Sequence, residues 1–315
     1  MRNSLALFML CASLVSTACS RSQTTGISVD NAFRPLISPD IRVLAGFDLD
    51  RLKATPLYQR HQQELSFPLL NASSERVGLD PRRDISKGII TWNGRSSLLL
   101  VRGPFRSDSV QNKLVSLGAK RTTYRSHTLI GNDGEALVFL KGGIAAAGST
   151  SALHSAIDLD SQGTGEVPEE LAERLRSLPK EDQIWIVSRG GLPFAEVPMR
   201  SDIASALSNI VQFIRGTTVG LAAAGGMSLQ AELTCISEDG AKRVRDALKG
   251  GLGLARLSTK DNELDMLRLW DAFQIEQDGA LVHVKANLSD DLADKLLARI
   301  PRLGTRAGQA IERAQ

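Results

Sequence analysis

The residues that could do acid–base chemistry are few and scattered. Asp48 and Asp50 follow a strand-like apolar run, a common place for an active-site or metal-binding loop, and His127 is the histidine that we would inspect with them. Carboxylates and a histidine that converge in one cleft could transfer protons or hold a cation. A turn followed by a helix N-cap is the simpler explanation for Asp48 and Asp50. An enzyme without a recognisable short motif therefore stays one hypothesis.

The sequence carries no spacing that is typical of a metal, phosphate or nucleophile site. The glycine cluster at 250–253 follows a predicted helix rather than a strand, which is the wrong context for a nucleotide. Ser177 and Lys180 match S-x-x-K only formally, because Pro179 lies between them. The four histidines stand apart, without a second ligand at helical spacing: His61, His127, His154 and His283. We therefore predict no catalytic residue, no metal and no cofactor.

Composition is that of an ordinary folded protein. Of 315 residues, 42% are hydrophobic and 23% are charged, which is enough apolar surface for a core and excludes a wholly disordered chain. The length favours about two domains. A formal net charge of +3 and an aromatic content of 4% argue against binding of nucleic acid by charge and stacking. We therefore expect no nucleic-acid partner.

The first 18 residues have the layout of an export signal. Arg2 provides a short basic region, an apolar stretch runs from Leu5 to Val15, and small residues end at Ala18. As a helix, that stretch would cover only about half of a hydrocarbon core, so it is too short for a permanent membrane span. We predict a signal peptide at 1–18.

The junction that follows resembles the lipobox of bacterial lipoproteins. Small residues at 16–18 stand directly before Cys19, although that family favours leucine where this chain has Ser16. The resemblance covers about the first 20 residues and implies that Cys19 is diacylated and becomes the mature N-terminus. It also implies a membrane anchor facing the periplasm, and Ser20 resembles an outer-membrane sorting signal. The alternative is cleavage after Ala18 without lipidation, which gives a secreted or periplasmic protein.

Polar segments flank the body of the chain. Residues 19–40 begin with a run of Ser, Thr, Gln and Gly, which predicts a flexible tether between a lipid anchor and the fold. Two acyl chains would anchor such a protein firmly in a membrane, which is its expected partner. Residues 301–315 predict a polar tail. Cys235 lies in an apolar run, where a buried small hydrophobe is expected.

The body is predicted to consist of two similar α+β modules, at 41–165 and 166–300. Apolar runs joined by short turns indicate mostly antiparallel strands covered by helices. The turn at 93–94 and the turn at 225–226 are separated by the same number of residues as Gly88 and Gly220. This constant offset favours an internal duplication. This layout resembles that of uncharacterised two-module envelope lipoproteins.

The turn at Asp133-Gly134 matches that at Asp278-Gly279 at a larger offset, as small insertions would produce.

Two strands are rich in small residues, at 142–148 and 220–226. Small side chains let a helix, another sheet or a ligand approach a strand closely. We predict a non-catalytic binding or assembly module of the cell envelope, with envelope proteins as partners. A carrier for a lipid or hydrophobic ligand is the alternative, and an apolar cavity between sheet and helices would favour it.

Overall fold

A sheet of 12 strands is the frame of the fold, in a computed structural model that describes residues 26–62, 78–190 and 210–298. All neighbouring strands pair antiparallel, in the spatial order β11-β12-β10-β9-β8-β1-β2-β3-β7-β6-β5-β4. Together with the helices on its faces, this sheet confirms the predicted α+β class. The predicted signal peptide, Cys19 and the predicted tail at 301–315 lie outside the described residues.

The strands, in chain order, are β1 (Val43–Asp48), β2 (Lys87–Trp92), β3 (Ser97–Arg102), β4 (Lys120–Tyr124), β5 (His127–Gly131), β6 (Glu135–Leu140), β7 (Ile144–Ser149), β8 (Ile184–Arg189), β9 (Ile214–Ala223), β10 (Met227–Cys235), β11 (Phe273–Asp278) and β12 (Leu281–Leu288). The helices are α1 (Leu49–Lys53), α2 (Pro56–His61), α3 (Pro81–Asp84), α4 (Ser107–Ser116), α5 (Thr150–Gln162), α6 (Glu169–Ser177), α7 (Glu238–Leu257), α8 (Leu264–Asp271) and α9 (Asp290–Leu297). Within the described ranges, no helix is both long enough and apolar enough to cross a membrane.

The two halves of the chain meet where β1 pairs with β8, with Ala45 opposite Ile186. Reading outward from this pair, the order is β1-β2-β3-β7-β6 on one side and β8-β9-β10-β12-β11 on the other. The topologies of the halves therefore correspond, and the first half adds the hairpin β4–β5 at its edge. The halves share one sheet, because β1 and β8 are hydrogen-bonded neighbours.

Not every matched turn is topologically equivalent. The turns near Asn93 and Gly225 both join the first hairpin of their half, β2–β3 and β9–β10. Asp133-Gly134, by contrast, joins β5 to β6, whereas Asp278-Gly279 leads from β11 to β12. The counterpart of the β11–β12 turn is the β6–β7 turn at 141–143. Asp133-Gly134 joins the added strand β5 to β6, so its match with Asp278-Gly279 does not relate equivalent turns.

Helices cover both faces of the sheet. Leu44 and Val187 are paired across β1 and β8 and face the main core, which α5 and α6 cover. Phe47 and Ile184 are also paired and point to the other face, because successive side chains of a strand alternate. On that second face, α7 packs over β10–β12 around Val244.

The described part of the predicted tether, 26–40, is not a flexible spacer. Asp30 lies 3.3 Å from the Lys87 ammonium and 3.0 Å from the Arg102 guanidinium, which fixes the segment to β2 and β3. Five of its apolar side chains are buried in the main core: Ile27, Val29, Phe33, Leu36 and Ile37. The tether was predicted from the polar residues near Ser20, without regard to the apolar residues that follow them. The hydrophobic effect therefore holds 26–40 in the body.

We expect Ile37→Ala to lower the free energy of unfolding by about 2–5 kcal/mol, because it removes methyl groups from a closed core. The Ile37 side chain is 0% exposed. Leu257→Ala is the control, since Leu257 is 84% exposed and its truncation should change stability by less than about 0.5 kcal/mol. Urea denaturation followed by circular dichroism measures both variants. Equal stability of the two variants would contradict a packed N-terminal segment.

Candidate functional site

The acids and the histidine singled out in the sequence lie apart. The Asp48 carboxylate accepts the Arg51 backbone N–H at 3.0 Å and caps α1. Asp50 pairs with the Lys53 ammonium at 3.3 Å on the surface of the same helix. His127 lies on β5, with β6, β7, β3 and β2 between it and β1. The structure therefore does not bring these three residues into one cleft.

The four histidines lie on four different elements. His61 on α2 is 2.7 Å from an Asp294 carboxylate oxygen, and His283 on β12 is 3.8 Å from Glu232. His154 on α5 stacks on the Tyr124 ring, with centroids 3.6 Å apart. Across the described residues, no group of three or more His, Cys, Asp or Glu side chains is placed to hold a metal ion.

Cys235 is buried in the core beneath α7, which confirms the prediction of a buried small hydrophobe. Burial raises the pKa of its thiol and so disfavours the reactive thiolate.

The two small-residue strands have different roles. In β7, Ala146 is buried beneath Leu153 and Ala156 of α5, so the first strand accommodates a packed helix. The second segment is β9 and the turn after it. Its Leu221 and Ala223 line a cavity between the sheet and several short helices. This cavity is our candidate functional site.

The cavity has a volume of about 280 Å³ and an almost entirely apolar lining. Its floor is the second face of the sheet, where Ile184 of β8 lies opposite Leu221 of β9, and Ala223 lies opposite Met227 of β10. The walls come from four helices and contain Leu49, Leu52 and Lys53 of α1, Leu57 and Tyr58 of α2, Pro81 and Arg82 of α3, and Leu297 of α9.

Local sequence signals place the wall helices. The Thr55 hydroxyl accepts the Tyr58 backbone N–H at 3.2 Å and caps α2, and Pro56 occupies the first turn, where its missing N–H has no cost. The Leu57 backbone N–H donates to the Ala224 carbonyl at 3.0 Å, which fixes α2 to the β9–β10 turn. Leu57 is consequently buried against Ala223 and Ala293.

Among the described residues, the charged side chains that line the cavity are both cationic. The Lys53 ammonium lies 3.3 Å from Asp50 and donates to the Ile85 carbonyl at 3.2 Å. Arg82 forms a two-point pair with Asp80, with both N–O distances at 3.0 Å. The hydrogen bond from Arg82, aided by its charge, outweighs burial and lowers the pKa of the Asp80 carboxyl. Neither acid lines the cavity.

A polar contact joins two walls of the cavity. The Arg60 Nε of α2 donates to an Asp294 carboxylate oxygen of α9 at 3.1 Å, and His61 Nε2 lies 2.7 Å from the same oxygen. Arg60 also donates to the Gly225 carbonyl at 2.8 Å. Burial alone would raise the pKa of Asp294, but the hydrogen bonds and charges of Arg60 and His61 lower it overall.

Larger depressions elsewhere differ in character. A depression of about 790 Å³ between α4 and strands β5–β7 is a groove wide open to solvent. Another of about 470 Å³, at the end of β1 and β2, is lined by charges of both signs, including Asp30, Lys87 and the buried Asp182. Burial raises the pKa of Asp182, whose carboxylate accepts the Gln230 amide at 2.8 Å. Ligand cavities are predominantly apolar with a few convergent polar groups, which favours the site at β8–β10.

Comparison with known proteins relates this chain to solved structures only. No family model and no curated protein matches the sequence. Crystal form III of TP0453 superposes with a TM-score of 0.51 at 12% identity, covering 87% of this chain and 99% of that one. Crystal forms I and IV give TM-scores of 0.47 and 0.49 at 12% and 11% identity, over 88% and 87% of this chain and 98% and 97% of theirs. At such identity, the likeness to form III shows a shared fold alone.

We expect Asp294→Asn to lower the free energy of unfolding by about 1–2 kcal/mol at pH 7, because it weakens the charge-assisted contacts of Arg60 and His61. The folded carboxyl has a lowered pKa. Its contribution is therefore present above the unfolded pKa of about 3.9 and is lost as the pH falls through the folded pKa.

Urea denaturation of the parent and Asp294→Asn between pH 3 and pH 7 tests this, with Asp261→Asn as the control. Asp261 is exposed in the turn before α8. The stability gap between the parent and Asp294→Asn should close in acid, and the control should show no comparable gap. A gap of constant size would contradict the assignment.

Proposed function

We propose that this protein is an exported lipoprotein, anchored through Cys19 to a membrane of the cell envelope, and that its folded body binds a hydrophobic ligand in the cavity between β8–β10 and the short helices. The observation that carries the binding proposal is the apolar lining of a 280 Å³ cavity. The proposal unites the binding module and the lipid carrier that the sequence left as alternatives.

The energetics of the cavity favour an alkyl ligand. Burial of a methylene group contributes about 0.8 kcal/mol, so six buried methylenes contribute about 5 kcal/mol before the costs of ordering. An apolar cavity offers water few hydrogen-bond partners, so a ligand would displace little that is well bound. The floor is formed by side chains without nitrogen or oxygen atoms, which supply an apolar surface: Ile184, Leu221, Ala223 and Met227.

Binding accounts for the cavity better than catalysis does. In the part of the chain that the structure describes, its titratable lining residues are Lys53, Tyr58 and Arg82, and both cations already pair with acids. A general acid and a general base with converging side chains are what proton transfer would require. Asp48 and Asp50, which flank Leu49 in the sequence, instead cap α1 and pair with Lys53.

The anchor proposal rests on the sequence around Cys19. We expect denatured mass spectrometry of protein purified from its native envelope to show a chain that begins at Cys19 and carries a diacylglyceryl group. Cys19→Ala should move the protein from the membrane fraction to the soluble fraction, because the acyl chains supply the membrane affinity. Ser20→Ala is the matched control and should stay membrane-bound. An unmodified N-terminus on the parent would contradict the anchor.

The cavity proposal is tested with N-phenyl-1-naphthylamine, a neutral dye that fluoresces in apolar surroundings. We expect saturable binding at one site, weakened at least about tenfold by Ile184→Trp, because the indole fills the floor of the cavity. Ile90→Trp is the control. Ile90 points to the same face of the sheet but lies outside the cavity lining. The two side chains are similarly exposed, at 44% for Ile90 and 38% for Ile184.

Both tryptophan variants should unfold near the parent's urea midpoint, which separates a blocked cavity from a lost fold. Equal dye affinity of Ile184→Trp and Ile90→Trp, or a parent that binds no dye, would overturn the proposed site.

A further inference from the structure

The charges of the described residues that line the cavity have one sign, which the proposed function does not by itself explain. Lys53 and Arg82 line it, whereas their acidic partners Asp50 and Asp80 do not. We infer that its ligand is a single-chain amphiphile with an anionic head, a carboxylate or a phosphate. The alkyl chain lies on the floor formed by β8–β10, and the head lies at Lys53 and Arg82. This inference rests on the proposed function of the cavity.

The volume decides the number of chains. A cavity of about 280 Å³ has room for roughly nine molecules of water at about 30 Å³ each. A methylene group is of comparable size to a water molecule, so the cavity accommodates about nine carbons of one alkyl chain, which is most of a dodecyl chain. It lies just below the about 300–1,000 Å³ that ligand pockets commonly have, and a lipid with two long chains exceeds it.

The cations retain donors for an anionic head. Two of the three N–H groups of the Lys53 ammonium are used by Asp50 and the Ile85 carbonyl, which leaves one. Arg82 uses Nε and Nη2 for Asp80, which leaves Nη1. Hydrogen bonds from these groups to a carboxylate or phosphate would be charge-assisted and therefore stronger than those to a neutral head.

The paired acids orient the cations rather than compete for the ligand. The Asp50 side chain is largely exposed and holds the Lys53 ammonium from the solvent side. Asp80 caps α3 through the Arg82 backbone N–H at 3.0 Å, so its carboxylate has a structural role at the helix start. A cationic head at this place would meet two positive side chains, and that repulsion provides selectivity against it.

The test compares four amphiphiles with the same dodecyl chain, each below its micelle concentration, as competitors of the bound naphthylamine dye. Dodecanoate and dodecyl phosphate carry anionic heads, dodecyltrimethylammonium a cationic head, and dodecyl maltoside a neutral one. We expect one or both anions to displace the dye at concentrations at least about tenfold lower than the cationic and neutral compounds. The two anionic probes also distinguish a carboxylate from a phosphate as the preferred head.

Variants assign the selectivity to the two cations. Lys53→Gln and Arg82→Gln should each bring the affinity for the anions toward that for the maltoside, and Arg82→Lys should restore part of the preference. Lys285→Gln removes an exposed cation of β12 and should retain the full preference.

The possible outcomes separate the two proposals. Four probes of equal affinity, or a preference for the cation, would overturn the anionic head and leave the apolar site in place. A parent that binds neither the dye nor any dodecyl compound would overturn the proposed function itself.

Discussion

The pairing of β1 with β8 is the constraint on which the rest of the structure depends. Their backbone hydrogen bonds join two half-sheets in one register, with Leu44 opposite Val187 and Phe47 opposite Ile184. Because side chains alternate along a strand, this register decides which residues of both halves share a face. A slip by one residue would turn Val187 away from the main core and bring side chains from the other face of β8 into it.

That register also explains where the cavity forms. The main core lies on one face, beneath α5 and α6, and α7 covers the opposite face over β10–β12. At the junction, Ile184 of β8 and Leu221 and Ala223 of β9 lie on the second face, and only the short helices α1, α2, α3 and α9 lie above them. Short helices meet a broad sheet imperfectly, and the space left over is the cavity around Leu221. One half alone would not form it, since α1–α3 come from the first half and the floor from the second.

Local signals in the sequence predicted much of the fold, because hairpin turns and apolar runs act over a few residues. The turn at Asn93-Gly94 lies between β2 and β3 as expected, and the pattern of antiparallel strands with helices is confirmed. Long-range features were not predictable in this way. The contact of His61 with Asp294 spans 233 positions, and nothing in either local sequence indicates the other. The buried segment 26–40 was missed for a related reason. The polar residues that suggested a tether can be read from the local sequence, whereas the core that covers Phe33 comes from distant parts of the chain.

The candidate site illustrates the same limit, because its chemistry lies in a combination of residues that are individually ordinary. Leucines on short amphipathic helices normally indicate core, and Lys53 and Arg82 normally indicate surface. They become a site only because α1 and α3 bring both cations to the edge of an apolar floor that a distant part of the chain provides. The contact of Asp294 with Arg60 adds a polar link between α2 and α9, which also share an apolar cluster through Leu57 and Ala293. A polar contact outside the cavity thus helps to hold two of its walls together.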